Sequence, residues 1–238
     1  MRTIVIFGGR FHPPHLGHKS VYDKLSQEFG ADNTYIVSSN KQAPMSSPFT
    51  FEQKKKLWTF MGVPDDHVVQ VKNPYMPKEI TDHLDTANTA IVFAISAKDS
   101  KRFTFKPKKD GSPSYMQPYE KDKHPEPIDN CGYILIAPTM NFEINGEPVT
   151  SASEIRGMYI KANDANRVNI LKGLYGKATK QIKSVFDKQL SMTETFLKLW
   201  SSTQILTEDK VSLRNKAIIS KALILERRIS EEEFKHPE

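Results

Sequence analysis

Residues 3–18 read Thr3-Ile4-Val5-Ile6-Phe7 and then Gly8-Gly9-Arg10-Phe11-His12-Pro13-Pro14-His15-Leu16-Gly17-His18. The first five are apolar or β-branched with no polar alternation, the pattern of an inner strand covered on both faces. The glycines at 8 and 9 let the backbone that leaves this strand approach a ligand closely. Val21, Leu25 and Phe29 then recur at helical spacing, and Gly30 falls where a helix C-cap belongs. The stretch is therefore a strand, a glycine-rich loop and a helix, with His18 in the first helical turn. A helix start carries unpaired N–H groups and partial positive charge, so Gly8, Gly9 and Gly17 with the imidazoles of His15 and His18 suit phosphate oxygens.

Outward from this unit the strand–helix alternation continues. Thr34 to Ser38 reads as a second strand, Thr50 to Met61 as a helix opened by a Thr50/Gln53 capping box, and His67 to Lys72 as a third strand. A short helix over Lys78 to Thr86 precedes an inner strand at Thr89 to Ile95, and Gly132 to Ala137 gives a fifth. Such alternation implies an α/β fold, Rossmann-like, with a parallel five-stranded sheet flanked by helices and ligands at the carboxyl ends of the strands. Residues 98–130 interrupt it with lysines, prolines and few apolar anchors. They read either as a decorated surface connection or as a lid whose Lys98, Lys101 and Arg102 meet phosphates. From Ala178 the pattern is helical. Ile182, Val185, Phe186 and Leu190 form one apolar stripe, and Ile218, Ala222, Leu225 and Ile229 another. The expected division is a domain over 1–177 and a helical C-terminal extension over 178–238 packed on it, a homo-oligomer being an alternative use of the stripes.

Composition bounds the function. The chain has 238 residues, 38% hydrophobic and 26% charged, which suits one sizeable soluble domain with an appendage. No apolar stretch approaches the roughly 20 residues of a membrane helix, and the apolar run at the N-terminus is too short for a signal peptide. The single cysteine, Cys131, forbids an internal disulfide and fits a reducing, cytoplasmic location. The formal charge of +6 suits phosphate-bearing ligands. The basic residues are mixed with 28 acids and form no stripe, so nucleic acid is not the expected partner. His12, His15 and His18 are spaced three apart, but Pro13 and Pro14 prevent a helix from bringing them to one face, so no protein metal site is expected.

Three blocks carry a resemblance. His15-Leu16-Gly17-His18 is similar to the His-x-Gly-His signature of the nucleotidyltransferase superfamily, and Gly9-Arg10-Phe11 with Pro13 resembles its nicotinamide mononucleotide adenylyltransferase branch. Ser151-Ala152-Ser153-Glu154-Ile155-Arg156 resembles the second signature, which implies Arg156, with Ser153, on the triphosphate. Taken alone, Ser151 and Glu154 make only a capping box. Ser47-Pro48-Phe49-Thr50, leading into Glu52, Gln53 and Lys54, is similar to the segment that opens the second helix in that branch. The resemblance covers about residues 1–175. Two departures stand out: His12 replaces a usual Gln, and Ser153 a usual Thr.

The resemblance implies transfer of a nucleoside monophosphate, AMP from ATP first of all, to a phosphorylated acceptor such as nicotinamide mononucleotide, with release of pyrophosphate. Magnesium would bridge the substrate's phosphates. Phosphopantetheine, flavin mononucleotide or cytidylyl transfer from CTP would use the same phosphate machinery. His15, His18 and Arg156 are the implied catalytic residues, and Gly8, Gly9, Arg10, Phe11, Gly17, Ser151 and Ser153 the nucleotide-binding ones. On sequence alone Arg10 serves a phosphate or a salt bridge equally well, and Phe11 a base pocket or loop packing. His12 and Lys41 are candidate acceptor contacts. The competing class is a binding or scaffold protein that keeps the nucleotide fold without turnover. An aminoacyl-adenylate-forming enzyme is disfavoured by the missing Lys-Met-Ser-Lys-Ser loop.

Overall fold

A computed structural model describes residues 1–191 except 45, 139–141, 145 and 150, together with 194 and 195. Met1–Thr193 form one compact unit; of the second, Glu194–Glu238, only the first two residues are described. The stripe Ile218, Ala222, Leu225 and Ile229 lies outside the described residues.

The elements follow the chain as β1 (Arg2–Gly8), α1 (Leu16–Phe29), β2 (Thr34–Ser38), α2 (Phe51–Phe60), β3 (Val68–Gln70), α3 (Lys78–Thr81), β4 (Thr89–Ile95), α4 (Ala97–Ser100), β5 (Met116–Pro118), β6 (Gly132–Ile136), β7 (Glu143–Ile144), β8 (Glu147–Pro148), α5 (Ala152–Lys161) and α6 (Asp164–Tyr175). Residues 180–191 are also helical. The main sheet has the order β3-β2-β1-β4-β6-β5 with every pairing parallel, and β7 and β8 make a separate antiparallel pair. The sheet is Rossmann-like, as expected, with six strands rather than five. The extra strand, Met116-Gln117-Pro118, comes from the segment read as a surface loop.

β1 and β4 lie at the centre, and every residue of β4 is buried. One face of the sheet packs Val5, Phe7, Ile36, Val92 and Ala94 against α1 and Trp58 of α2. The other packs Ile4, Ile6, Ile91, Phe93 and Ile95 against Ile80 and, from the insert, Phe103, Met116 and Ile128. The segment 98–130 is thus anchored at a few apolar positions, Phe103, Met116 and Ile128. A further core joins Phe49, Ile155, Tyr159, Leu171 and Leu174 to Ile182, Phe186 and Leu190 of the first C-terminal stripe.

From β1 the chain proceeds outward to β2 and β3, then returns to the opposite side of β1 with β4. The carboxyl ends of β1 and β4 therefore diverge into a crevice, where ligands of open α/β sheets bind. Three loops meet there: Gly9 to His15 from β1, Ser96 onward from β4, and Ala137 onward from β6.

Candidate active site

The loop after β1 is built tightly. Phe11 has φ of 51°, the left-handed region that an L residue seldom adopts, and its ring is 6% exposed. It packs edge-on against Phe7 at 5.4 Å, His18 at 5.1 Å and Trp58 at 5.2 Å between ring centroids. The turn requires glycine at 9: a Cβ there would stand 2.5 Å from the Phe11 ring. Phe11 is therefore a packing anchor that also reaches the crevice.

Loop carbonyls at alternating positions are held from distant elements. The Arg156 Nη1 of α5 donates to His12 O at 2.7 Å, and the Tyr175 hydroxyl of α6 donates to Pro14 O at 2.9 Å. Lys54 Nζ of α2 donates to Arg10 O at 3.3 Å, Ser38 Oγ at 2.7 Å and Ser39 O at 2.6 Å. Lys54 is only 1% exposed, and burial brings its pKa down to about 8. A buried ammonium costs several kcal/mol. Three charge-assisted hydrogen bonds at roughly 1.5–3 kcal/mol each are of the size needed to offset that cost.

His15 is the N-cap of α1. Its Nδ1 accepts from the Gly17 N–H at 3.1 Å, which places the proton of the neutral ring on Nε2 as a donor. A Cβ on Gly17 would lie 2.9 Å from the His15 ring, so glycine is required for this cap. His18, one turn on, lies against His15 with centroids 3.9 Å apart and the rings tilted by 38°. Phe142 covers the other face of His15 at 4.5 Å. His18 Nδ1 is buried without a hydrogen-bond partner among the described residues. Burial lowers the His18 pKa to about 4, and burial together with the neighbouring His18 lowers that of His15 well below the ordinary value. Both rings are neutral at pH 7.

These groups line a crevice of about 390 Å³. One wall is the end of β1 and its loop, with Gly8, Gly9, Arg10 and Phe11; the floor is His15, Gly17, His18 and Val21 of α1. Ser96, Asp99, Ala137 and Pro138 close the side toward β4 and β6, and Phe142, Val149, Ser151 and Ala152 the side toward α5. Ser151 caps α5 with a full capping box to Glu154, so two helix N-termini, of α1 and α5, converge on one space. That arrangement favours anions. Asp99 supplies the only carboxylate on the wall among the described residues. It accepts from Ser96 Oγ at 2.8 Å and pairs with Arg102 at 3.4 Å.

Of the residues singled out in the sequence, the structure brings together Gly8, Gly9, Arg10, Phe11, His15, Gly17, His18 and Ser151. Others stand elsewhere. Arg156 is 5% exposed and off the crevice wall, donating to His12 O and, at 3.1 Å, to Ser153 Oγ. His12 is also buried, and its Nδ1 accepts from the Phe49 N–H at 3.2 Å. Burial first, then Lys54, Arg156 and Arg10, depress its pKa to about 3. It is packed into the loop and lines no part of the crevice. Lys41, Lys98, Lys101 and Arg102 are exposed and line no part of the crevice. From this segment α4 and its cap place Ser96 and Asp99, not the lysines, on the wall. Asp99, Ser96 and Phe142 were not singled out: each lies beyond a strand end, and only the sheet order brings them to α1.

The model of the cytidylyltransferase-like family matches residues 6–113, the segment that carries the histidine loop. Among solved structures, a bifunctional NMN adenylyltransferase/ADP ribose pyrophosphatase from Francisella tularensis, complexed with AMP and manganese, is 15% identical. The TM-score is 0.48, with 89% of this chain and 57% of that one covered. The chain thus spans little more than half of that protein. A putative nicotinate-nucleotide adenylyltransferase from Vibrio parahaemolyticus is 17% identical, with a TM-score of 0.42 over 78% of this chain and 99% of that one. The nicotinic acid mononucleotide adenylyltransferase of Plasmodium falciparum, complexed with NaAD, is 16% identical, with a TM-score of 0.45 and coverage of 79% and 96%. No curated protein matches the chain.

Proposed function

We propose, for a chain whose residues 6–113 match the cytidylyltransferase-like family, a nucleotidyltransferase that moves a nucleoside monophosphate onto a phosphorylated small acceptor and releases pyrophosphate. The observation that carries this reading is the close His15–His18 pair at the start of α1, facing the N-terminus of α5 across one crevice.

The chemistry needs little more. A phosphomonoester has its second pKa near 6, so the acceptor is already an anionic nucleophile at neutral pH and no general base is required. The protein must hold two anions in line and stabilise charge growing on the α-phosphate and the leaving group. His15 Nε2–H, fixed as a donor by the Gly17 cap, serves the triphosphate, and His18 the pentacoordinate α-phosphate. The N–H groups of the α5 start, with Ser151, serve the remaining oxygens. Arg156 acts on the loop through His12 O. A carboxylate repels phosphate and accepts from hydroxyl or amino groups, so Asp99 belongs beside sugar or base.

Magnesium fits as the triphosphate's own counter-ion. The donor set does not make a protein-built site, since Asp99 stands alone on the wall and no group of three or more ligating side chains occurs among the described residues. The reading takes ATP as donor and nicotinamide mononucleotide as the first acceptor to try, on the resemblance of Gly9-Arg10-Phe11 and the Ser151–Arg156 block. Pyrophosphate release, measured with ATP and with CTP against nicotinamide mononucleotide, phosphopantetheine, flavin mononucleotide and glycerol phosphate in turn, tests it. Release with one pair identifies the reaction. Nucleotide binding with no release from any pair favours a nucleotide-binding scaffold instead.

A further inference from the structure

The loop between β1 and α1 has two sides with different partners. Gly9, Arg10, Phe11 and His15 line the crevice, while the carbonyls of residues 10, 12 and 14 accept from three helices that follow much later in the chain. All three donors lie off the crevice wall, and two of them, Lys54 and Tyr175, have no place in the chemistry above. Lys54 reaches from α2 and joins Arg10 O to Ser38 Oγ and Ser39 O, tying the loop from β1 to the carboxyl end of the adjacent strand β2. All its hydrogen-bond partners among the described residues are neutral oxygens. A packing role alone does not explain an ammonium at 1% exposure, since an apolar side chain fills such a space without desolvating a charge. Tyr175 closes α6 just before its Gly176 cap. Its buried hydroxyl is spent on Pro14 O, the carbonyl directly before the His15 cap.

We propose that Lys54 and Tyr175 are positioning residues that brace the histidine loop from behind, one at the Arg10 end and one at the His15 end, so that both imidazoles meet the reacting phosphate at fixed distances. The inference rests on the nucleotidyltransferase reading for its catalytic part only. A brace acts on geometry, and misplacing a catalytic group by about 1 Å can cost on the order of a hundredfold in rate. Ground-state affinity for the triphosphate, spread over many contacts, changes much less.

The test uses the full chain with Lys54→Met, which keeps length and bulk but no charge, and Tyr175→Phe, which removes one hydroxyl. Amide hydrogen exchange of residues 8–18 is compared with that of β1 and β4, and steady-state kinetics are taken with the active substrate pair. Exchange in 8–18 rises about tenfold with β1 and β4 unchanged. On the scale of such misplacement, kcat falls about a hundredfold for Lys54→Met and about tenfold for Tyr175→Phe, with KM for the triphosphate within about threefold of the parent. Unchanged exchange in 8–18, or equal acceleration throughout the sheet, overturns the proposal, as does a raised KM at constant kcat. Should Lys54→Met fail to fold, Tyr175→Phe alone decides. If the unmodified protein turns over no pair, the nucleotidyltransferase reading fails, while the exchange comparison still reports on the brace.

Discussion

His15 does two things with one ring. Its Nδ1 closes the N-terminus of α1 through Gly17, and its Nε2 is thereby left as a donor. Gly17→Ala pushes a methyl to 2.9 Å of that ring, so the cap must open. We expect a loss of about 1 kcal/mol in stability, the usual worth of a cap. The accompanying fall in kcat, about tenfold or more, is larger than such a loss explains, since the His15 donor is displaced as well. Thermal melts and kinetics on one preparation check this, and unchanged kcat contradicts the role given to His15. His18→Ala removes a transition-state contact, so kcat falls on the order of 10²–10³-fold with little change in triphosphate affinity. The glycines and both histidines were legible because they follow an unmistakable inner strand. Lys54 was not, because in the run Lys54-Lys55-Lys56 nothing separates a buried lysine from two solvated ones. Only the packing of α2 on β2 makes that distinction.

At the scale of elements, the agreement between sequence and structure follows how each element is stabilised. β1, β2 and β4 are covered on both faces, so their central side chains are apolar and their limits were read to within a residue or two. Thr50/Gln53 and Ser151/Glu154 announce their helices through reciprocal caps, and both capping boxes form. β5 was invisible because Met116-Gln117-Pro118 has neither alternation nor β-branching. It exists because β6 offers it an open edge. The two-residue strands β7 and β8 carry no periodicity at all. The two caps also make a controlled comparison. Thr50→Ala and Ser151→Ala should each cost about 1 kcal/mol of stability. Only Ser151→Ala should weaken triphosphate binding, by a few-fold, because only that helix start lines the crevice. Equal affinities in the two variants would remove α5 from the site.

The whole molecule shows its site in its response to pH. His12 and His18 have folded-state pKa values of about 3 and about 4 against an ordinary 6.5, lowered first by burial. Between pH 6.5 and about 4 the unfolded chain therefore binds protons that the folded protein does not. The stability available above 6.5 is lost as the pH falls through that window. Melting temperature should be lower at pH 5 than at pH 7.5, and the difference should shrink in His18→Asn; a flat profile contradicts the burial argument. Triphosphate binding has the opposite sign. An anion beside His15 and His18 favours their charged forms, so binding takes up protons in the same window. Calorimetry in two buffers of different ionisation enthalpy reads that uptake directly, and its absence means that the anion does not sit on the histidines. The crevice itself follows from the order β3-β2-β1-β4-β6-β5, which puts the loops of β1 and β4 side by side.

The most direct test of the central claim follows the fate of each phosphate. The protein is incubated with magnesium, a phosphomonoester acceptor and nucleoside triphosphate labelled at the α- or the γ-phosphorus. The account predicts that the α-label enters a product joined to the acceptor through a pyrophosphate linkage, while the γ-label leaves in pyrophosphate. Transfer of the γ-label to the acceptor, or release of γ-labelled orthophosphate in place of pyrophosphate, would contradict it.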